Sequence, residues 1–253
     1  MEYEIRAMSF GEILDMGFRI LKNHFVLLAG LQAIVFVPPR LVADALTRGN
    51  DFTDPFVLLA GMLPVLLALL VLQPVIMAAI THAIGESYLS REVTFGGALR
   101  FALPIVLPLL GTWILASIII LVGFVFLVIP GVILLLMFAL LTPVMVTERV
   151  FGFAAMERSW ALMKGNMLRA LGLLIVTTIL SSALTAGVDL MAGFIPVIGS
   201  VVGGVVQGAA NAFGTAALVV LYFDIRCRKE AFDLEHLAEQ VESGAGVLPG
   251  GIG

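Results

Sequence analysis

The amino-acid sequence predicts an all-α integral membrane protein: a six-transmembrane-helix bundle of three helical hairpins, each preceded by a cytoplasmic interfacial amphipathic helix. Three observations predict it. Of the 253 residues, 60% are hydrophobic and 13% are charged, with a mean hydropathy of +1.11. A soluble domain averages about 45–50% apolar and about 25% charged residues. The apolar residues gather in six runs, each near the length of about 20 residues that carries a helix across a bilayer. The 14 Lys and Arg residues then fall on alternate connections, with only Arg40 and Arg48 on the opposite side. Under the positive-inside rule this places both termini in the cytoplasm. The abundance of Leu, Val and Ile excludes a disordered chain. The single Cys227 forms no internal disulfide, so the fold does not call for an oxidising compartment.

Along the chain, residues 1–23 read as a cytoplasmic N-terminal amphipathic helix. Its start is a capping box, Ser9-Phe10-Gly11-Glu12, in which Ser9 and Glu12 satisfy each other's free amides. Phe10, Ile13, Leu14, Gly17, Phe18 and Leu21 share one face. The acidic start and the late first apolar run do not suit a signal peptide, so that run is expected to stay as a membrane helix. Residues 24–223 read as the transmembrane domain, with spans at 24–46, 56–82, 103–127, 131–147, 168–192 and 198–223. Pro38-Pro39 is expected to kink or break the first span. The fourth is short, and Ile129-Pro130-Gly131 fixes its start as a tight connection out of the third. Residues 224–253 read as a cytoplasmic tail with a short helix over 232–241 and a disordered Gly-rich end from Ser243.

A threefold organisation emerges. Phe10-Gly11, Phe95-Gly96 and Phe151-Gly152 each open a partly apolar helix that leads into a span. The proline sites Val37-Pro38-Pro39, Ile129-Pro130-Gly131 and Ile195-Pro196-Val197 then serve as the turns. The unit is an interfacial helix followed by a transmembrane hairpin. Amphipathic helices carrying Trp, Phe and basic residues suit the headgroup level, although plain membrane-flanking sequence explains the second copy equally well.

Polar residues inside a bilayer are costly and each asks for a reason. Asp189, in the outer part of span 5, pairs with Arg40 to lock spans 1 and 5, stands solvated near the surface, or binds a cation or proton in a cavity. A lone acid favours the first two. His82 and Glu86, one helical turn apart, fall short of a metal site, and no HExxH or Cys/His cluster accompanies them. Three readings of the next group stay open. Glu148 and Arg158 form an ion pair docking the third interfacial helix, or Arg158, Lys164 and Arg169 form an anionic headgroup site, or these are ordinary positive-inside charges. In span 6, Gly199, Gly203, Gln207, Asn211 and Thr215 recur at every fourth residue, with Gly204 and Gly208 alongside. This stripe suits close helix packing, with Gln32 and Gln73 meeting Gln207 and Asn211, better than it suits a polar path.

The run Pro143-Val144-Met145-Val146-Thr147-Glu148, then Gly152, Ala154-Ala155, Arg158-Ser159-Trp160 and Lys164-Gly165-Asn166, carries a resemblance. With Ser9 to Asp15, Leu221 to Arg226 and Lys229 to Leu234, it resembles bacterial multi-pass membrane proteins grouped with the membrane domain of glycerophosphoryl diester phosphodiesterases. In some relatives a soluble domain after the membrane part performs the chemistry. The roughly 30 residues after span 6 are too few for a catalytic barrel of about 250 residues, so the resemblance implies a stand-alone member in a bacterial inner membrane. No GxSxG elbow, Walker loop or pair of transmembrane aspartates is present. The expectation is a non-catalytic scaffold, accessory or lipid-interacting module without cofactor or bound metal. Its partners would be membrane lipids and a membrane protein or second copy, not nucleic acid. The alternative is a small transporter or permease component with a polar path along span 6.

Overall fold

A computed structural model describes residues 6–49, 55–88, 93–192 and 196–231, which form helices and short connections with no strand among them. Helix α1 (Phe10–Asn23) begins at the capping box: Ser9 Oγ accepts from the Glu12 amide at 3.4 Å, and Glu12 accepts from the Ser9 amide at 2.7 Å. These bonds satisfy amides that the first helical turn leaves free. The Ser9 amide and the Arg6 guanidinium hold the exposed Glu12 carboxyl down at about 2, from an ordinary 4.5. After His24 the chain enters α2 (Phe25–Gly49), and α3 (Pro55–Tyr88) returns.

The second unit begins with α4 (Phe95–Ala102), capped by Thr94 Oγ1 on the Gly97 amide. A single 3-10 turn at Leu103–Ile105 links α4 to α5 (Val106–Phe126). The proline at 104 explains the change of winding, since it donates no backbone hydrogen bond. Leu127 alone separates α5 from α6 (Val128–Met137), and a turn at 138–140 separates α6 from α7 (Leu141–Glu148). Pro143 accounts for that interruption: its ring would clash with the carbonyl four residues back, at Ala139, so it is accommodated in the first turn of a new helix. The third unit is α8 (Phe153–Met163), α9 (Met167–Ala192) and α10 (Pro196–Glu230), with Pro196 at the first helical position, where its missing donor costs nothing.

Six helical stretches are long and apolar enough to cross a membrane among the described residues: Phe25–Ala45, Gly61–Ser87, Phe95–Phe126, Val128–Glu148, Met167–Leu190 and Ile198–Glu230. They form an all-α six-helix bundle in which α1 and α8 precede the first and third hairpins, while α4 is the opening segment of the third span. α10 is the central post, touching α1, α2, α3, α7, α8 and α9. α9 is the outlier, leaning chiefly on α10, with its apolar stretch almost entirely unburied.

The structure departs from expectation at four places. Pro38-Pro39 does not end the first span, because α2 continues through both prolines to Gly49. A proline φ near −65° is itself helical, and membrane helices tolerate the lost hydrogen bonds. The turn of the first hairpin thus lies beyond these prolines. α4 is nearly continuous with α5 rather than a separate surface helix. The fourth span is longer than 131–147 and interrupted in the middle. The last helix reaches Glu230, so the expected tail boundary at 224 falls inside α10. The tail helix over 232–241, the Gly-rich end, Arg91, Asp51, Asp54 and Ile195 lie outside the described residues.

Candidate functional site

The end of the bundle that gathers Met8, α7, α8 and the close of α10 holds two charge networks. The first surrounds Asp224, whose carboxylate is wholly buried. It accepts from the Met8 amide at 2.6 Å, from Arg169 Nη1 at 2.8 Å and from Arg228 Nε at 3.0 Å. Arg228 Nη2 closes the loop by donating to the Met8 carbonyl at 2.6 Å. A buried carboxylate is stable only when paired and hydrogen-bonded. Here the pairing ties the approach to α1, the start of α9 and the end of α10 to one anion. Gly17 lets α1 lie close, since a side chain there would meet the Ala217 backbone at 3.1 Å.

The second network fastens α8. Arg158 Nε donates to Glu148 Oε2 at 2.7 Å, while its two terminal nitrogens bind Glu230 at 2.5 and 2.9 Å. The bonds to Glu230 and then Glu148 push the Arg158 pKa further above its already high value. Tyr222 donates to the other Glu148 oxygen at 2.8 Å, and Arg226 joins Glu230 at 2.9 Å. Lys229 Nζ donates to the Ala161 and Lys164 carbonyls at 2.7 Å, capping the end of α8. Buried Ser159 donates to the Met137 carbonyl at 2.7 Å, supporting the break after α6 from below. Gly152, at φ +66°, precedes α8 in a conformation that side-chain-bearing residues seldom adopt. Its amide is held by Thr112 Oγ1 at 2.7 Å.

Glu148 and Arg158 therefore meet, in the arrangement expected of a docking pair. Arg158, Lys164 and Arg169 do not converge on one anion position: Arg158 faces Glu148 and Glu230, Arg169 faces Asp224, and the Lys164 side chain is exposed. His82 stacks flat on Phe101 at 3.6 Å, leaving the opposite ring face to the Arg149 guanidinium at 4.1 Å. No group of three or more His, Cys, Asp or Glu that could hold a metal occurs among the described residues.

At the other end, Arg40 Nη1 donates to Asp189 at 2.7 Å and Nε to Gln207 at 3.1 Å, joining α2, α9 and α10. Below this joint the small residues of α10 face α2. Gly203 lies under the Arg40 guanidinium, and a side chain at Gly204 would reach the Val37 backbone at 2.8 Å. At Gly208 it would meet the Gln32 and Ala33 backbone at 3.2 Å. Gly199, buried, begins the same stripe. Gln32 is fully buried, and neither end of its amide has a hydrogen-bond partner; Gln73 Oε1 is likewise unpaired. The expected meeting of Gln32 and Gln73 with Gln207 and Asn211 is not made, because Gln207 turns to Arg40 instead.

Asn211 faces elsewhere, into a cavity of about 340 Å³ between α3, α9 and α10, lined also by Thr177, Thr178, Ser181 and Ser182. A second cavity of about 250 Å³ lies between α3, α5 and the α6–α7 break, lined by Thr81, Trp113, Phe138 and Thr142 among others. Met77, Leu174, Thr215 and Leu218 line both, so the two adjoin. Trp113 Nε1 donates to Thr142 at 3.2 Å, whereas the buried Thr81 hydroxyl has no partner.

In the sequence Asp224, Tyr222 and Glu230 stand only as parts of a motif; of the residues expected to line a polar path, Asn211 does line the first cavity, while Gln32, Gln73 and Gln207 do not. One signal for Asp224 was available: an acid followed at two and four residues by Arg226 and Arg228 on a helix leaving the membrane. The α9 hydroxyls that complete the cavity left no signal, since no sequence period reveals how α9 is rotated against α10.

The six spans and their internal charge joints define a multi-pass α-helical membrane protein. No family model, no curated protein and no solved structure matches the chain.

Proposed function

We propose that the protein is a non-catalytic, lipid-interacting membrane module with both termini cytoplasmic, as the positive-inside pattern supports. The observation that carries this reading is the fate of its ionisable groups. Asp224, Glu148 and Glu230 are each bound by arginine in joints that hold α1 and α8 against α10. An acid–base catalyst needs a group free to exchange a proton with substrate, and these carboxylates instead act as fasteners. The helices they fasten carry exposed Phe18, Phe153 and Trp160 beside exposed Arg19, Lys22 and Lys164, the composition of helices that lie in the headgroup layer. Membership of the bacterial inner-membrane family suggested by the sequence belongs to the same proposal.

The alternative, a small transporter with a polar path along α10, draws on Asn211 lining a cavity. Gln207 committed to Arg40 and Gln32 packed against Gly208 weigh against a continuous path. Identifying lipids and proteins co-purified in mild detergent tests the proposal. Retention of lipid beyond the annular shell is expected. A preparation that keeps neither such lipid nor any membrane partner would sink it.

A further inference from the structure

The two adjoining cavities differ in chemistry. The first carries uncharged hydroxyl and amide groups on α9 and α10, namely Thr177, Thr178, Ser181, Ser182 and Asn211. The second is walled mainly by Trp113, Ile120, Leu135, Phe138 and Val219. No Lys, Arg, His, Asp or Glu lines either one. Their volumes of about 340 and 250 Å³ together reach the range of about 300–1,000 Å³ usual for ligand pockets. Both sit at membrane depth beside α9, whose outward face is the least covered of the spans.

Two groups point to a ligand independently of cavity shape. Thr81, 2% exposed, lines the apolar cavity and its hydroxyl lacks any partner. The Asn211 amide makes no hydrogen bond to a described residue, although its own backbone carbonyl accepts from Thr215. In hydrocarbon an unmade hydrogen bond on a polar group is expensive. A ligand that donates and accepts there would supply what the helices do not. Thr177 and Thr215 spend their hydroxyl protons on carbonyls of their own helices at 2.8 and 3.0 Å, leaving their oxygens as acceptors.

We infer that this paired cavity binds an uncharged membrane lipid of the diacylglycerol type, its hydroxyl and one ester against Asn211 and the α9 hydroxyls, its other ester carbonyl accepting from the Thr81 hydroxyl, and a hydrocarbon chain along Trp113 and Phe138. The absence of any lining charge argues against a phosphate-bearing headgroup. The inference rests on the lipid-interacting reading and narrows it to a site and a class.

The test compares photoreactive diacylglycerol with photoreactive phosphatidylglycerol on the full chain in nanodiscs, mapping crosslinks by mass spectrometry. Diacylglycerol is expected to label α9 or α10 near Asn211 and to be displaced by unlabelled diacylglycerol. Asn211→Leu and the near-isosteric Thr81→Val are each expected to weaken labelling roughly three- to tenfold, the worth of one hydrogen bond. Unchanged thermal unfolding of Thr81→Val certifies the fold. If phosphatidylglycerol labels these positions as strongly and neither variant matters, the neutral-lipid site is overturned while a lipid-interacting module survives. If no lipid labels the chain above the level of a control membrane helix, both readings fail. Labelling by diacylglycerol that Thr81→Val and Asn211→Leu leave unchanged overturns the site.

Discussion

Two stretches of α10, about 16 Å apart at a rise of about 1.5 Å per residue, treat polar groups in opposite ways. From Tyr222 to Glu230 the helix is bound on several sides, with Asp224 alone receiving one amide and two guanidinium groups. Around Asn211 the same helix flanks two cavities, where the buried Thr81 hydroxyl has no partner and the Asn211 amide bonds no described residue. The difference teaches where this protein spends its interactions. Charges at one end make a rigid base for α1 and α8, and the middle of the bundle on the α9 side keeps neutral polar groups in reserve.

The sharpest way to break that contrast is to remove the central anion. Asp224→Asn keeps the shape but strands Arg169 and Arg228, and it is expected to cost about 3 kcal/mol, the low end for breaking a buried pair. The low end applies because the two arginines are 33% and 36% exposed. Thermal unfolding in detergent measures this, and a melting curve like that of the unaltered protein would erase the distinction between the two stretches.

Packing on the α2 side gives the next effect. Gly204→Ala would place a methyl group 2.8 Å from the Val37 backbone, overpacking that costs about 1–3 kcal/mol. Gly187→Ala on α9, which meets nothing within 4 Å, is expected to be neutral or mildly stabilising, alanine being the better helix former. Equal losses for the two in the same unfolding assay would mean that α9 is packed as tightly as α2.

Asp189→Asn should matter less. Asp189 is 52% exposed, and exposed ion pairs contribute about 0–1 kcal/mol. A loss as large as that from Asp224→Asn would contradict the account.

The smallest effect lies at the capping box. Glu12 has its carboxyl lowered in the folded state, so its contribution is present above the unfolded value of 4.5 and fades as pH falls toward about 2. Carboxyl NMR of labelled Glu12 should titrate near that lower value, and a midpoint at the unfolded one would remove the cap.

Most of the architecture was legible because the bilayer imposes it. Span length, the alternation of basic residues and the Ser9–Glu12 cap are local or one-dimensional signals, and they led to six spans and to the position of α1. The Glu148–Arg158 pair was also readable, lying ten residues apart on neighbouring segments. What stayed hidden depends on relative rotation of distant helices. Asp224 reaches Met8 across 216 residues, and no periodicity announces such a bond. Gln207, read as a partner for Gln32, found the stronger charged donor Arg40. Pro38-Pro39 misled because the rule for soluble helices is relaxed where neighbouring helices support the backbone.

The central claim, that the unpaired polar groups of the middle of the bundle face lipid rather than a water path, is tested most directly by electron paramagnetic resonance. A nitroxide is attached at Asn211→Cys, in a Cys227→Ser background, before the protein is returned to bilayers. Collisions with dissolved oxygen, which concentrates in hydrocarbon, are expected to exceed those with a water-soluble nickel chelate. The opposite order would mark a hydrated path along α10 and contradict the account.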